Sequence, residues 1–248
     1  MERPLTLVTG GTRGIGAATA LRLAADGHDL VLGYARDDAA AEECRLAVED
    51  AGARCLVVRS DVADPAGVDH LFARAAEHGR LTGVVNSAGA TLHIGRLAET
   101  PVEVVQRTVE LNLTGALLVA RAAVRALGTS YGGRGGVIVN VSSGAATLGA
   151  PGEYVQYAAA KAGVDALTVG LAQEVAGQGI RVVGVAPGLV RTRIHEDAGD
   201  AGRLERVSSG VPLGRPGEPA EVADAIGWLM GPEASYVTGT TLRVAGGR

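Results

Sequence analysis

Aromatic residues are scarce in this chain of 248 residues, where Phe, Trp and Tyr together make up 3%. The interior must therefore consist mainly of Ala, Val and Leu, and a hydrophobic share of 47% is enough for a sizeable core. The length fits one large α/β domain or two small ones. Because no change of composition marks a boundary, we expect a single domain over residues 1–248.

Cysteine is nearly absent as well. The two thiols, Cys44 and Cys55, have neither metal-ligand spacing nor the number that a disulfide framework needs. The histidines show no ligand spacing either, so we expect no metal site. Buried or half-buried thiols of this kind are typical of an intracellular protein.

The chain also lacks basic blocks and long apolar runs. Its formal net charge is −4, and nothing in the charge pattern indicates binding to nucleic acid or to an anionic membrane surface. No apolar run approaches the ~20 residues that cross a bilayer. The first residues lead into a strand-like segment and do not resemble a signal peptide. We therefore expect a cytoplasmic protein.

Short apolar runs alternate with longer helical patterns along the chain. Strands are predicted at residues 5–9, 29–34, 54–59, 83–86, 137–141, 181–186 and 241–244. Helices are predicted at residues 15–26, 39–51, 65–78, 101–127, 154–176 and 218–230. Repeated β-α units predict an α/β fold of three layers, a Rossmann-type doubly wound parallel sheet of about seven strands.

Two long segments without a strand pattern, residues 91–100 and 188–219, follow the fourth and sixth predicted strands. Ligands of open α/β sheets bind beyond the carboxyl ends of the strands, and long loops there are often binding loops. We expect the substrate loop near residues 188–219. The glycine-rich residues 128–136 are predicted to form a surface loop.

A glycine turn joins the first strand to the first helix. Gly10 permits a tight turn, Gly14 lets the backbone approach a pyrophosphate, and Gly16 lets the helix pack closely on the strand. The free amides at the start of that helix then face the phosphates. A glycine turn without a ligand is the alternative, but the strand–turn–helix context favours a dinucleotide cofactor.

We expect the residues at the end of the second strand to select between NAD and NADP. A carboxylate there would hold the ribose hydroxyls and repel a 2′-phosphate. No carboxylate stands there, and Arg36 together with Arg13 can pair with a 2′-phosphate. The alternative is two solvated arginines. We predict NADP, with NAD less favoured. Asp61, after the third strand, is placed to reach the adenine edge or to cap a turn.

Tyr157 and Lys161 stand four residues apart, which places both side chains on one face of a helix. A phenol titrates near ~10, and a neighbouring cation favours its anionic form. The pair is therefore a candidate proton donor and acceptor near neutral pH. The spacing arises often by chance, but the phosphate loop in the same chain favours the catalytic interpretation.

Several motifs in one order, covering nearly the whole chain, resemble the single-domain form of the short-chain dehydrogenase/reductase family. They are Thr9-Gly10-x-x-x-Gly14-Ile15-Gly16, Asn86-Ser87-Ala88-Gly89, Asn112, Ser143, Tyr157-x-x-x-Lys161 and Pro187-Gly188-Leu189-Val190-Arg191-Thr192. The resemblance implies an NADP(H)-dependent oxidoreductase that interconverts a ketone and a secondary alcohol. The family members that this chain resembles reduce acyl-carrier thioesters, polyketide ketones, sugars or small ketones.

By this resemblance, Tyr157 exchanges the proton with the substrate oxygen, and Lys161 holds the nicotinamide ribose and lowers the pKa of the tyrosine. Ser143 orients the substrate oxygen, although the spacing to Tyr157 leaves Ser142 as an alternative. Asn112 holds a water in a proton relay or is a buried structural amide.

The resemblance also implies the residues that line the cofactor. They are Gly10, Thr12, Arg13, Gly14, Ile15, Gly16, Arg36, Asp61, Val62, Asn86, Ala88, Gly89, Tyr157, Lys161, Pro187, Gly188, Val190 and Thr192. Val190 and Thr192 would touch the carboxamide, although Thr192 fits a helix cap equally well.

Two other functions fit the same fold. A non-enzymatic NAD(P)-binding regulator would have lost the Tyr-Lys pair, which this chain retains. A sugar epimerase or dehydratase would be longer, with a separate substrate region. The resemblance further implies a homotetramer that pairs through helices 101–127 and 154–176, where Ala166, Gly170 and Ala172 permit close approach.

Overall fold

A parallel sheet of seven strands lies at the centre of the computed structural model, which describes residues 3–248. The strands are β1 (Leu5–Thr9), β2 (Asp29–Tyr34), β3 (Cys55–Arg59), β4 (Leu81–Asn86), β5 (Gly136–Val141), β6 (Ile180–Pro187) and β7 (Thr241–Val244). Their order across the sheet is β3-β2-β1-β4-β5-β6-β7. The chain reverses its direction of winding between β1 and β4, and a doubly wound sheet binds its ligand at such a point.

Helices cover both faces of the sheet. They are α1 (Gly14–Ala25), α2 (Asp38–Asp50), α3 (Pro65–His78), α4 (Val102–Val109), α5 (Gly115–Leu127), α6 (Ala145–Leu148), α7 (Val155–Val175), α8 (Arg203–Ser208) and α9 (Pro219–Met230). The three-layer α/β fold predicted from the sequence is confirmed.

The strands bury residues on both faces because successive side chains point to opposite sides. Val8 of β1 belongs to a core shared with α1, α2 and α9, whereas Leu7 belongs to a second core shared with α3, α5 and α7. Small and branched aliphatic residues make up most of both cores, as the shortage of aromatic residues requires. Cys44 and Cys55 are free thiols buried in the first core.

The helix predicted over residues 101–127 is not continuous. Glu110–Thr114 is wound as a π-helix between α4 and α5. A π-turn widens the backbone by one residue per turn and occurs often at functional sites. Asn112 lies inside it and is fully buried.

The loop over residues 188–219 also holds more structure than the sequence predicts. It contains the short helix α8, and Val190 pairs with Gly217 in a parallel bridge that closes the loop at its base. The predicted surface loop over residues 128–136 contains one 3₁₀ turn, Thr129–Tyr131.

Buried amides connect β4 and β5 beneath the upper edge of the sheet. The Asn86 Nδ2 atom donates to the Oδ1 atom of Asn140 at 3.2 Å and to the carbonyl of Ala116 at 3.0 Å. The Nδ2 atom of Asn140 donates to the Thr168 hydroxyl at 3.0 Å. This chain of bonds ties two strands to α5 and α7.

None of the helices within residues 3–248 is long and apolar enough to cross a membrane.

Candidate active site

A cleft of about 1650 Å³ runs along the carboxyl ends of the strands. Nearly all the predicted site residues line it: Gly10, Thr12, Arg13, Gly14, Ile15, Gly16, Arg36, Asp61, Val62, Ala88, Gly89, Ser143, Tyr157, Lys161, Pro187, Gly188, Val190 and Thr192. Asn86 and Asn112 lie behind its wall. The long loop after β6 forms one side of the cleft.

The turn between β1 and α1 has the geometry expected of a phosphate cradle. Gly10 has a φ of +61°, and a Cβ atom there would lie 3.0 Å from the Cα atom of Ala88. A Cβ atom on Gly16 would overlap the carbonyl oxygen of Gly10. No side chain caps α1, and its first turn holds no acidic residue. The free amides of that turn therefore suit a pyrophosphate group.

The two arginines predicted to select the cofactor differ in their surroundings. Arg13 lies 3.7 Å from Asp37 and 3.7 Å from Asp197, measured between nitrogen and oxygen atoms. Asp37 also accepts a hydrogen bond from the Ala40 amide as the cap of α2. Arg36 is exposed at the cleft and forms no ion pair with any residue in the range 3–248. Arg36 is therefore freer than Arg13 to meet an anion.

Asp61 caps a turn and also lines the cleft. Its Oδ1 atom accepts from the Ala63 amide at 3.0 Å, which is a turn cap, and its carboxylate also faces the cleft. Arg107 of α4 donates to the Oδ2 atom at 2.5 Å. Although partial burial works in the opposite direction, these two hydrogen bonds lower the pKa of Asp61. The sequence did not single out Arg107, whose contact with Asp61 spans 46 residues.

Tyr157 lies near the start of α7 and is 7% exposed. Burial raises the pKa of its phenol to about 12, while a hydrogen bond from the Ser143 hydroxyl lowers it in part. The resemblance predicts that Lys161 lowers this pKa, but in the structure burial dominates and the net shift is upward. Loss of solvent is the dominant effect, because it disfavours the charged phenolate.

Lys161 lies one helical turn further along α7. Its Nζ atom donates to the Val141 carbonyl at 2.8 Å and lies 5.7 Å from the centroid of the Tyr157 ring. Burial lowers the pKa of Lys161 to about 8, and Asp165 raises it in part. The ammonium also approaches Gly89, where a Cβ atom would lie 3.3 Å from Nζ. The absence of a side chain at Gly89 leaves room for the Lys161 ammonium beside this backbone.

The structure separates the two serines at the end of β5. Ser142 is buried, and its hydroxyl donates to the Lys161 carbonyl at 3.2 Å. Ser143 lines the cleft beside Tyr157, whose pKa it lowers in part, and its hydroxyl accepts from the Ala145 amide at 3.1 Å. Of the two, Ser143 is the one that faces the phenol.

Two predicted residues have their amides turned inward. Asn112 donates to the carbonyls of Ala90 and Thr108 at 2.8 Å and 2.9 Å, and it accepts from the Ala90 amide at 3.1 Å. Asn86 is used in the bonds that link β4 and β5. Both side chains shape the wall of the cleft from behind, as structural amides do.

The wall after β6 lies against the phosphate turn. A Cβ atom on Gly14 would lie 3.2 Å from the methyl group of Thr192. The Thr192 hydroxyl accepts from the Ile194 amide at 3.5 Å, and α8 begins only at Arg203, so Thr192 does not cap a helix. Pro187 fixes this wall to β5, because its carbonyl accepts from the Gly144 amide at 2.7 Å.

Four residues form a cluster at the far end of the cleft: Glu153, Tyr154, His195 and Arg203. Burial, and to a lesser degree Arg203, lowers the pKa of His195 to about 4. His195 lies on the loop after β6 and is 9% exposed. No motif or spacing marks these residues, since they meet only through tertiary packing.

The cleft thus joins an anion-binding helix start to a phenol, a hydroxyl and a buried ammonium at one end of the sheet. The family described as Enoyl-(Acyl carrier protein) reductase matches residues 10–248. This chain belongs to the short-chain dehydrogenase/reductase family, whose members are NAD(P)-dependent oxidoreductases acting on CH–OH and C=O groups.

Particular relatives are similar over almost their full length. The oxidoreductase YgfF of Escherichia coli (strain K12), whose function is uncharacterized, is 44% identical over 98% of this chain and 99% of its own. The L-rhamnose 1-dehydrogenase (NAD(P)(+)) of a Sphingomonas species is 38% identical over 100% of this chain and 96% of its own. A short-chain dehydrogenase from Burkholderia cenocepacia, solved in complex with NADP, is 34% identical with a TM-score of 0.90 over 99% of this chain and 97% of its own.

Proposed function

We propose that this protein is an NADP(H)-dependent oxidoreductase that interconverts a ketone and a secondary alcohol, with Tyr157 as the general acid and base. The observation that supports this most directly is the placement of Ser143, Tyr157 and Lys161 on the wall of a cleft that continues into the phosphate turn. A regulator that only bound the cofactor would not need a buried phenol and ammonium.

In the direction of reduction, Tyr157 donates its proton to the carbonyl oxygen of the substrate. Its raised pKa keeps the phenol protonated at neutral pH, which is the form that donates. The Ser143 hydroxyl, which lines the same cleft as the phenol, orients the same substrate oxygen. The nearby ammonium of Lys161 stabilises the phenolate that remains.

A nicotinamide cofactor, when bound, supplies or accepts the hydride. Gly10, Gly14 and Gly16 would hold its pyrophosphate, and Gly89 together with Lys161 would border its nicotinamide ribose. Val190 and Thr192 would lie at the carboxamide. Asn112 supports this arrangement indirectly, because its bonds to Ala90 fix the backbone beside Gly89.

Selectivity for NADP is the finer part of this proposal. Arg36 supports it, since an unpaired guanidinium at the end of β2 can meet a 2′-phosphate. Arg13 contributes less, because Asp37 and Asp197 already lie beside it. The solved relative from Burkholderia cenocepacia carries NADP, which agrees with this choice.

We also propose a homotetramer. Apolar side chains are exposed on the helices predicted to pair, with Val102 69%, Leu117 45% and Val169 44% exposed. Ala166 and Gly170 lie on the exposed side of α7, as close packing of two copies requires. Ala172 does not, because it is buried in the core against the sheet.

Substitution of Tyr157 by Phe tests the proposed reaction. The variant keeps the ring but has no proton to exchange, so we expect kcat to fall by about 10²–10⁴-fold. Activity is read from NADPH absorbance with a panel of ketones, and cofactor binding from NADPH fluorescence. Binding should remain, since the phosphate turn is untouched.

The outcomes separate the alternatives. A Tyr157→Phe variant that retains more than about a tenth of wild-type activity would contradict the role of the phenol. A wild-type protein that binds NADPH but reduces no ketone and oxidises no alcohol would favour the regulator.

A further inference from the structure

A buried arginine connects the loop after β6 to the start of α7. Arg203 is the first residue of α8 and is 2% exposed. Its Nη2 atom donates to the Glu153 carboxylate at 2.6 Å and to the Tyr154 hydroxyl at 2.8 Å. The centre of the guanidinium lies 5.1 Å from the centroid of the Tyr154 ring. One side chain thus holds the two residues that immediately precede α7.

Tyr154 transmits this contact to Tyr157 in two ways. The two rings meet edge to face, with centroids 5.6 Å apart and planes at 88°. The Tyr154 carbonyl also accepts from the Tyr157 amide at 3.0 Å, because Tyr154 is the N-cap residue of α7. A shift of Tyr154 would therefore move both the backbone and the ring of Tyr157.

His195 completes the cluster from within the same loop. A guanidinium only donates, so the contact of 3.3 Å between Arg203 Nη1 and His195 Nε2 requires that Nε2 accepts. The neutral imidazole then carries its proton on Nδ1. That atom and the Nε atom of Arg203 are buried without a hydrogen-bond partner among residues 3–248.

Such a cluster is a poor way to gain stability. Burying a guanidinium carries a desolvation cost that an ion pair repays only with good geometry and full hydrogen bonding, and packed apolar residues of similar size are often as stable or more so. Here two buried nitrogen atoms lack partners. The arrangement therefore makes more sense as a device that fixes geometry than as one that stabilises the fold.

We propose that Arg203 is a positioning residue for the reaction. When the loop packs on the start of α7, its guanidinium fixes Tyr154 and through it the ring of Tyr157 at the reacting oxygen. This inference rests on the proposed function, since it assigns a role to the loop in the same chemistry. It links the packing of the loop after β6 to the alignment of the proton donor.

Two single substitutions and their combination test the connection. Arg203→Met keeps the apolar stem but removes the charge and the donors, and Tyr154→Leu removes the ring. We expect each to lower kcat about tenfold and to leave the KM for NADPH within about twofold, because the contacts of Arg203 are with Glu153, Tyr154 and His195 and not with the phosphate turn. Since both act along one path, the double variant should be no slower than the slower single variant.

Arg206→Met is the matched control. Arg206 lies on the same helix, but it is exposed and pairs with Asp200 instead of contacting Tyr154. It should keep wild-type kcat. Arg203→Lys should recover part of the loss, because an ammonium retains the charge and one bond to Glu153 but not the flat stack on the ring.

A second measurement does not depend on turnover. In protein labelled with 3-fluorotyrosine, the ¹⁹F resonance of Tyr157 is assigned by its disappearance in Tyr157→Phe. We expect Arg203→Met to shift or broaden this resonance, and Arg206→Met to leave it unchanged. If Arg203→Met does not fold, Tyr154→Leu and Glu153→Gln supply the same comparison.

Three results would overturn the inference: an unmoved Tyr157 resonance in Arg203→Met, additive losses of kcat in the double variant, or an equal effect of Arg206→Met. The proposed function would survive each of them. If wild type is inactive with all substrates, the proposed function fails instead, and the ¹⁹F comparison still decides whether Arg203 positions Tyr157.

Discussion

At the residue scale, two side chains of α7 lose their contact with solvent and each comes to favour its neutral form. Burial raises the pKa of Tyr157 to about 12 and lowers the pKa of Lys161 to about 8. Between these values the phenol keeps its proton while the amine loses its charge. The rate of proton donation is therefore governed by the ammonium at moderately alkaline pH.

This arrangement predicts how reduction depends on pH. The rate should fall as the pH rises through about 8, because Lys161 then loses the charge that stabilises the phenolate. Lys161→Arg keeps a charge across this range, so its rate, although lower overall, should stay constant to higher pH. The measurement is kcat for ketone reduction between pH 6 and 10. A wild-type profile that is flat to pH 9.5, or an unchanged profile in the variant, would contradict the assignment.

Cofactor choice is also decided by single side chains. A charge-assisted hydrogen bond from Arg36 to a 2′-phosphate is worth about 1.5 kcal/mol, or less where it is exposed, so a preference for NADPH of roughly tenfold in kcat/KM is expected. Arg36→Ala should lose most of it and Arg13→Ala less, because Arg13 already has two aspartates beside it. Wild type that prefers NADH would refute the prediction. If Arg36→Ala leaves the ratio unchanged, the double variant decides whether Arg13 carries the selectivity.

At the scale of single elements, the sequence predicted the bounds of strands and helices correctly where these bounds depend on interactions between neighbouring residues. The bounds predicted for β1, β2, β7 and α3 agree with the structure to the residue. Local signals also begin α3, where Asp64 accepts from the Ala66 amide and Pro65 follows it. Capping and alternation act within a few residues, so a short stretch of sequence contains them.

Features that depend on tertiary contacts could not be predicted from the sequence. The π-turn at Glu110–Thr114 interrupts a helical pattern that continues through it. The contact of Arg203 with Glu153 spans 50 residues, and nothing in the spacing of either residue announces it. The motifs placed Ser143, Tyr157 and Lys161 in one site, but only the fold distinguishes Ser143 from Ser142 and turns Asn86 and Asn112 inward.

The loop after β6 should respond to acid through His195. Its pKa of about 4 in the folded chain lies below the ordinary value of 6.5. As the pH falls from 6.5 towards 4, the unfolded chain binds a proton that the folded chain does not, so the free energy of unfolding decreases, by at most about 3 kcal/mol. Arg203 adds to this lowering of the pKa of His195, whereas the carboxylates of Glu153 and Asp200 oppose it.

Urea unfolding at pH 7.5 and pH 5.0 measures this effect against a variant that cannot titrate. His195→Gln keeps an acceptor for Arg203, so its loss of stability between the two pH values should be smaller than that of wild type. Equal losses in the two proteins would mean that folding does not lower the pKa of His195.

At the scale of the whole molecule, the exposed apolar side chains of α4, α5 and α7 favour self-association. Light scattering at micromolar concentration should give the mass of four chains of 25.0 kDa. Val169→Asp places a charge in the proposed contact and should yield smaller species. Leu46→Asp is the control, since Leu46 is 48% exposed on α2, away from that face. A wild-type monomer would contradict the assembly.

The hydrogen bonds among Asn86, Asn140 and Thr168 have a consequence for how the chain assembles. Asn86 stands directly opposite Asn140 in the register of β4 and β5. A slip of one residue would turn one amide to the opposite face of the sheet, where its partner is missing, and an unpaired buried amide costs about 1–3 kcal/mol. The apolar neighbours, which are mostly valines, would tolerate such a slip far better. The amides therefore favour the native register of β4 and β5, on which the alignment of the cleft above them depends.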